Sequence, residues 1–246
     1  MSTHVQLCFV MDCTGSMQDW IDVARDQIQL IIDQTRQDVE QGLVFEVGFV
    51  GYRDFGDSEQ YINIPFTHDI DDLRRQIQAI QADGGNDCAE DVSGGLLLAV
   101  EMFRGRTTGV RQLIHIADAP AHGNMYHGIR ISDRYPNGDP NGNDPCKYIH
   151  ELSVMNIDYT FIRIHDSTDT MLEAFHNSYT SSSGTFKVLD LVVQGEAPRD
   201  ILLSPPRPGR TVTDASSQTA LFTPSIRRHL AESINRYTAS QDPAEV

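Results

Sequence analysis

"FVMDCTGSM" (residues 9–17) decides how this chain folds. An unbroken apolar run stops at Asp12, and Thr14, Gly15 and Ser16 follow at once. Upstream the run extends as "VQLCFVMD" (5–12), the pattern of a strand covered on both faces. Downstream, "MQDWIDVARDQIQLIIDQTRQDV" (17–39) repeats Trp20, Ile21, Ala24, Ile28, Ile31 and Ile32 at helical spacing. A buried strand and an amphipathic helix therefore meet at a turn that carries one acid and two hydroxyls.

The same alternation continues along the chain. Strands are expected at 43–54, 60–67, 110–120, 157–165 and 186–193, and helices at 69–82, 92–103, 146–156 and 169–180. Pro65 cannot donate to a ladder, so 60–67 is placed at a sheet edge. Strands alternating with helices predict a doubly wound α/β fold. It has a mostly parallel six-stranded sheet with helices on both faces and one antiparallel edge strand, 60–67, in the order 3-2-1-4-5-6. Residues 1–195 form this domain. Residues 196–246 change texture: a Pro/Ser/Thr-rich linker leads to an amphipathic helix at 225–237.

Bulk properties exclude some functions. The 246 residues carry a formal charge of −16, which repels phosphate backbones and disfavours nucleic acid as a partner. No run approaches the roughly 20 apolar residues of a membrane span, and the N-terminus lacks a basic segment with a cleavage signal. The four cysteines, Cys8, Cys13, Cys88 and Cys146, form no CxxC pair. A reducing, cytoplasmic setting is expected. Cys13 and Cys88 fall on loops that should converge, and free thiols are the expected state.

In a parallel α/β sheet, ligands bind beyond the carboxyl ends of the strands. Asp12 and Asp118 lie at two such ends, and "GGNDCAED" (84–91) precedes a helix. Three distant loops can thus supply oxygen to one point: Asp12, Thr14 and Ser16 from the first, Asp87 or Glu90 from the second, Asp118 from the third. Carboxylates with hydroxyls suit a hard divalent cation, Mg²⁺ foremost, with Mn²⁺ or Ca²⁺ as alternatives.

"DCTGS" resembles the D-x-[ST]-x-S signature of von Willebrand factor A domains with a metal-ion-dependent adhesion site. "FVGYRDFGD", "GGNDCAEDVSGGL", "LIHIADAPAHG", "DRYPNGDP" and "IDYTFIRI" further resemble the A-type domains of alpha-type protein kinases, in order, across residues 5–193. The resemblance implies that Asp12, Thr14, Ser16 and Asp118 fall on metal positions, and that a protein partner completes the ion with an acidic side chain. The family's second-loop threonine is missing; Asp87, Cys88 and Glu90 stand there instead. It implies a binding module rather than an enzyme, since the fifty or so residues after the last strand are too few for a kinase core.

Two other functions fit parts of the sequence. "DCTGS" also resembles the D-x-[DT]-G-T motif of haloacid-dehalogenase phosphatases, with Asp12 as nucleophile; that chemistry needs a lysine and an acid pair after "IHIAD", where a single Asp118 stands. Alternatively, residues 196–246 assemble a scaffold. Ser16 by itself could be a helix cap. Asp54 reads as a partner of Arg53 or a turn acid, with the orienting of a metal-bound water as the alternative. His122 and His127 read as solvated or structural loop residues, because their spacing does not suit zinc. "DPNGNDP" (139–145) lacks the order of a calcium loop and reads as a turn-rich rim.

Overall fold

The computed structural model describes residues 2–38, 42–190 and 215–241. Its strands are β1 (Thr3–Asp12), β2 (Leu43–Tyr52), β3 (Tyr61–Thr67), β4 (Val110–Ala117), β5 (Asp158–Arg163) and β6 (Phe186–Asp190). Its helices are α1 (Gln18–Asp38), α2 (Ile70–Gln78), α3 (Val92–Phe103), α4 (Pro145–Val154), α5 (Asp169–Ser178) and α6 (Ala215–Gln241). The six strands lie in the order β3-β2-β1-β4-β5-β6. All neighbours are parallel except β2 and β3, so the Pro65 strand is the antiparallel edge.

Side-chain alternation along β1 divides the core. Val5, Leu7, Phe9 and Met11 face a cluster with Ile21, Ile28 and Ile32 of α1 and Leu73 and Ile77 of α2. Cys8 and Val10 face the opposite cluster, with Leu96 and Phe103 of α3, Ile149 of α4 and Phe175 of α5. Coverage on both sides explains why β1 reads as nearly continuous apolar sequence. It also fixes the position of Asp12, the last residue of the central strand.

Three strands end earlier than the sequence pattern implies. β2 stops at Tyr52, β4 at Ala117 and β5 at Arg163. The residues just beyond, Arg53, Asp54 and Asp118, leave the ladder and enter the loops above it.

The C-terminal helix is longer than 225–237. Pro224 lies inside α6 rather than ahead of it. Proline removes one backbone donor, and a helix of 27 residues anchored by packing tolerates this. Ile226, Leu230 and Ile234 are fully buried in the α1 side of the core. Thr223 donates to Gln27, Arg227 to Gln34 at 2.9 Å, and Arg236 to Asp158 at 2.6 Å. The expected linker residues 196–214 lie outside the described residues.

Candidate metal centre

Asp12 ends β1 with its side chain fully buried. Its Oδ1 accepts from the Thr14 backbone N–H at 2.9 Å and the Thr14 hydroxyl at 2.7 Å. Thr14 opens a one-turn 3-10 helix, Gly15–Met17, yet its hydroxyl caps nothing there because it is turned back to Asp12. Ser16 lies in that turn, exposed at the surface of the same loop. The other oxygen of Asp12, Oδ2, is buried without a hydrogen-bond partner.

The second loop is held against the first by two glycines. Gly84 accepts from Gly15 N–H at 3.3 Å. Gly85 has φ +77°, and a Cβ there would lie 2.8 Å from Glu90 Oε1 and 3.1 Å from Thr14 Cβ. Only glycine permits this approach, which sets Glu90 beside Thr14. Glu90 is 3% exposed, and its Oε2 is buried and unpartnered. Its backbone N–H donates to Pro120 at 2.9 Å, joining the second loop to the third. Asp118 sits on that third loop, with its Oδ1 also buried and unpartnered and its carbonyl accepting from Ser167 Oγ at 2.7 Å.

Three orphaned carboxylate oxygens therefore come from three loops. Burial, together with the neighbouring charge of Asp118, raises the Asp12 carboxyl to about 7, against the opposing bonds from Thr14. Burial and the charges of Asp12, Asp54 and Asp87 raise Glu90 to about 10. Such groups cost several kcal/mol to hold together as anions unless a cation compensates them. The donor set of carboxylate oxygens with the hydroxyls of Thr14 and Ser16 fits a hard divalent ion.

Asp87 goes elsewhere. Its Oδ2 accepts from Arg134 N–H at 2.6 Å and its Oδ1 from Ala89 N–H at 3.3 Å. This pulls it toward Asp54 and His122, and ligand atoms of the three lie within 4.8 Å of one another. His122 bonds Asp54 Oδ1 through Nε2 and Asp133 Oδ1 through Nδ1, both at 2.7 Å. His127 Nε2 holds the other oxygen of Asp133 at 2.9 Å. Burial tends to raise the Asp133 carboxyl, but donors from Gly123, His127, His122 and Tyr135 hold it at about 2. For His122 burial works downward, and bonds to Asp54 and Asp133 overcome it, so its basicity rises.

Two open alternatives close here. The two histidines are structural but not solvated: His122 and His127 are 3% and 4% exposed. Asp54 is a turn acid, its Oδ1 accepting from the Phe55 N–H at 2.6 Å, and not the partner of Arg53, whose ion pair is with Glu59 at 3.3 Å. Asp54 turns to His122, 68 residues away in the chain. Spacing hid this pair; the available signal was that Asp54 follows β2 and His122 follows β4, on one side of the sheet. Cys13 and Cys88 are free, the first buried and the second exposed.

A family model described as von Willebrand factor A domain matches residues 6–127. Alpha-protein kinase vwkA of Dictyostelium discoideum is 35% identical over 176 residues, 71% of this chain. The chain carries a von Willebrand factor A domain. It spans 28% of the length of that kinase. Among solved structures, the von Willebrand factor domain of the type V pili tip protein Mfa5 from Porphyromonas gingivalis matches with a TM-score of 0.54 at 13% identity, over 100% of this chain and 99% of that one. The pilus adhesin SpaC from Lactobacillus rhamnosus GG matches with a TM-score of 0.57 at 11% identity, over 94% of this chain and 31% of that one. At these identities the structures speak for the fold alone. Among the described residues, no helix of this A domain is long and apolar enough to cross a membrane.

Proposed function

We propose that this A domain is a non-catalytic protein-binding module that presents a divalent cation, Mg²⁺, on its loop face. Asp12, Thr14, Ser16, Glu90 and Asp118 would hold the ion, and a partner would supply a Glu or Asp to it. When bound, the ion would supply a hard positive centre on a face that is otherwise acidic. The observation that carries this reading is that a carboxylate oxygen of Asp12, of Glu90 and of Asp118 is buried without a hydrogen-bond partner, on three loops whose charges act on one another, Asp118 on Asp12 and Asp12 on Glu90. Glu90 takes the second-loop role because its Oε2 is buried and unpartnered, whereas Asp87 lies against Asp54 and His122.

This chain's own residues prepare the site. Thr14 fixes Oδ1 of Asp12 and so leaves Oδ2 for the ion. Gly85 brings Glu90 close, and the Glu90–Pro120 backbone bond sets the spacing of the second and third loops. Met125 and Ile129 are exposed in the loop after Asp118 and form apolar rim that a partner could cover. The free cysteines fit a reducing compartment, and we place the protein in the cytoplasm.

Calorimetric titration of Mg²⁺ into the full chain tests the site. Uptake that is abolished by Asp12→Asn and weakened by Glu90→Gln more than by Asp87→Asn supports it; no uptake at millimolar Mg²⁺ overturns it. Capture of a partner that EDTA and Asp12→Asn both prevent supports recognition through the ion. Capture that survives both would favour assembly through the C-terminal segment. A dehalogenase-type phosphatase needs a lysine near Asp12. The chain's two lysines lie on α4 and β6, Lys147 against the Tyr148 ring and Lys187 bonded to Glu232. Phosphate-ester turnover that Asp12→Asn abolishes would nevertheless restore that reading.

A further inference from the structure

The network around His122 is built in a way that the Asp12 site does not require. His122 Nδ1 faces Asp133 Oδ1 at 2.7 Å. Asp133 is a carboxylate that accepts from Gly123 and Tyr135 backbone N–H groups at 2.8 and 2.7 Å and contacts His127. An anion with only lone pairs to offer makes Nδ1 the protonated nitrogen. Nε2 faces Asp54 Oδ1, also 2.7 Å away, so a proton bridges this contact as the structure stands, and a metal ion would take that proton's place. Phe55 and Tyr135 flank the ring, with centroids at 5.4 and 5.0 Å, and lock its plane.

Asp54 is 0% exposed, and its Oδ2 has no hydrogen-bond partner. Asp87 closes the third side, held from behind by Arg134 and Ala89 N–H groups. One imidazole nitrogen and two carboxylates thus have ligand atoms within 4.8 Å of one another. Donors around a single zinc ion, each about 2.0–2.2 Å from it, stand about 3–4 Å apart. A carboxylate behind a histidine is the arrangement that fixes the tautomer and raises the basicity of a metal-bound imidazole.

We propose that Asp54, Asp87 and His122 form a second metal site beside the Asp12 site, selective for a transition metal of the zinc class, with Asp133 as its positioning residue. The nitrogen donor sets the preference: imidazole favours Zn²⁺ and its neighbours, whereas the all-oxygen set around Asp12 favours Mg²⁺. Asp133 touches no ion and acts by holding His122.

The test is titration of the full chain with Zn²⁺ at saturating Mg²⁺, followed by calorimetry, and zinc-edge X-ray absorption of the loaded wild-type protein. The expected result is one zinc with a single imidazole among oxygen neighbours. His122→Gln should lower zinc affinity at least tenfold, and Asp133→Asn should lower it about 10–100-fold. Both variants should leave Mg²⁺ affinity within about threefold. Asp12→Asn should remove Mg²⁺ binding and retain zinc, which separates this site from the one proposed above. The absorption spectrum needs no variant, so a misfolded substitution does not blunt the test. Zinc with oxygen neighbours alone, zinc affinity unmoved by His122→Gln, or loss of zinc with Asp12→Asn would each overturn the assignment.

Discussion

The Thr14 hydroxyl donates to Oδ1 of Asp12 at 2.7 Å and leaves Oδ2 of the same carboxylate buried with no partner. One oxygen is orientated and the other is reserved. Thr14→Val keeps the shape and removes the donor. It should cost about 1 kcal/mol of stability and weaken Mg²⁺ uptake roughly tenfold, as calorimetry of the purified variant would measure.

Mg²⁺ itself should stabilise the fold. An ion that binds only the native state at a hundred times its Kd adds about 2.7 kcal/mol. Thermal unfolding followed by circular dichroism should show a higher Tm in excess Mg²⁺ and reversal by EDTA. Asp12→Asn should abolish the Mg²⁺ effect and, in EDTA, raise Tm above wild type, because it removes an anion buried beside Asp118. A lower Tm than wild type in EDTA would contradict the charge repulsion inferred at this site.

Gly85 is the point where the first and second loops touch. Gly85→Ala forces a side chain into φ +77° and toward Glu90 Oε1. A loss of roughly 1–3 kcal/mol is expected, together with weaker Mg²⁺ binding. Gly142, also at positive φ (+76°) but with open space around it, is the control: Gly142→Ala should leave Mg²⁺ binding unchanged.

His115 gives a pH dependence. It is fully buried on β4, with Nδ1 2.7 Å from the Tyr159 hydroxyl and Nε2 3.0 Å from that of Tyr52. Burial lowers its pKa to about 3, from an ordinary 6.5. A histidine lowered in the native state binds its proton more readily when unfolded. Its contribution is complete above about pH 6.5 and is lost as pH falls toward 3, on the order of 5 kcal/mol over that window. Urea unfolding at several pH values should show a shallower acid decline for His115→Gln than for wild type.

Leu230 tests the C-terminal helix. It is fully buried against the α1 side of the core, with Ile226 and Ile234 beside it. Leu230→Ala should cost about 2–5 kcal/mol in a single cooperative transition. A change near zero would mean that α6 folds apart from the sheet.

Much of the architecture was legible because it rests on periodicity. The apolar runs of β1 and β4, the helical spacing in α1 and Pro65 in the edge strand each carry a local signature, and together they imply the strand order. The positions of Asp12 and Asp118 follow from strand ends in the same way. What could not be read is whatever depends on the path of a long loop. Residues 118–145 carry His122, His127 and Asp133, and their spacing encodes nothing about Asp54. Backbone bonds such as Cys88 N–H to Ser132 and Glu90 N–H to Pro120, with side-chain bonds such as His122 to Asp54 and Arg134 N–H to Asp87, determine where that loop lies. The extent of α6 was hidden for a different reason. Proline usually marks a helix boundary, and here burial of Ile226, Leu230 and Ile234 outweighs the bond that Pro224 forgoes.

Arg53 is 5% exposed, and its guanidinium reaches the carbonyls of Cys13 at 3.2 Å, Glu59 at 2.6 Å and Gln81 at 2.9 Å. One planar cation thereby rivets the crown of the molecule together from beneath: the turn after β1, the β2–β3 connection and the stretch leading into the diglycine. These pieces cannot open one by one. Any guest that settles on this end meets a stiff seat, so docking there loses little freedom and shape mismatch is punished rather than absorbed.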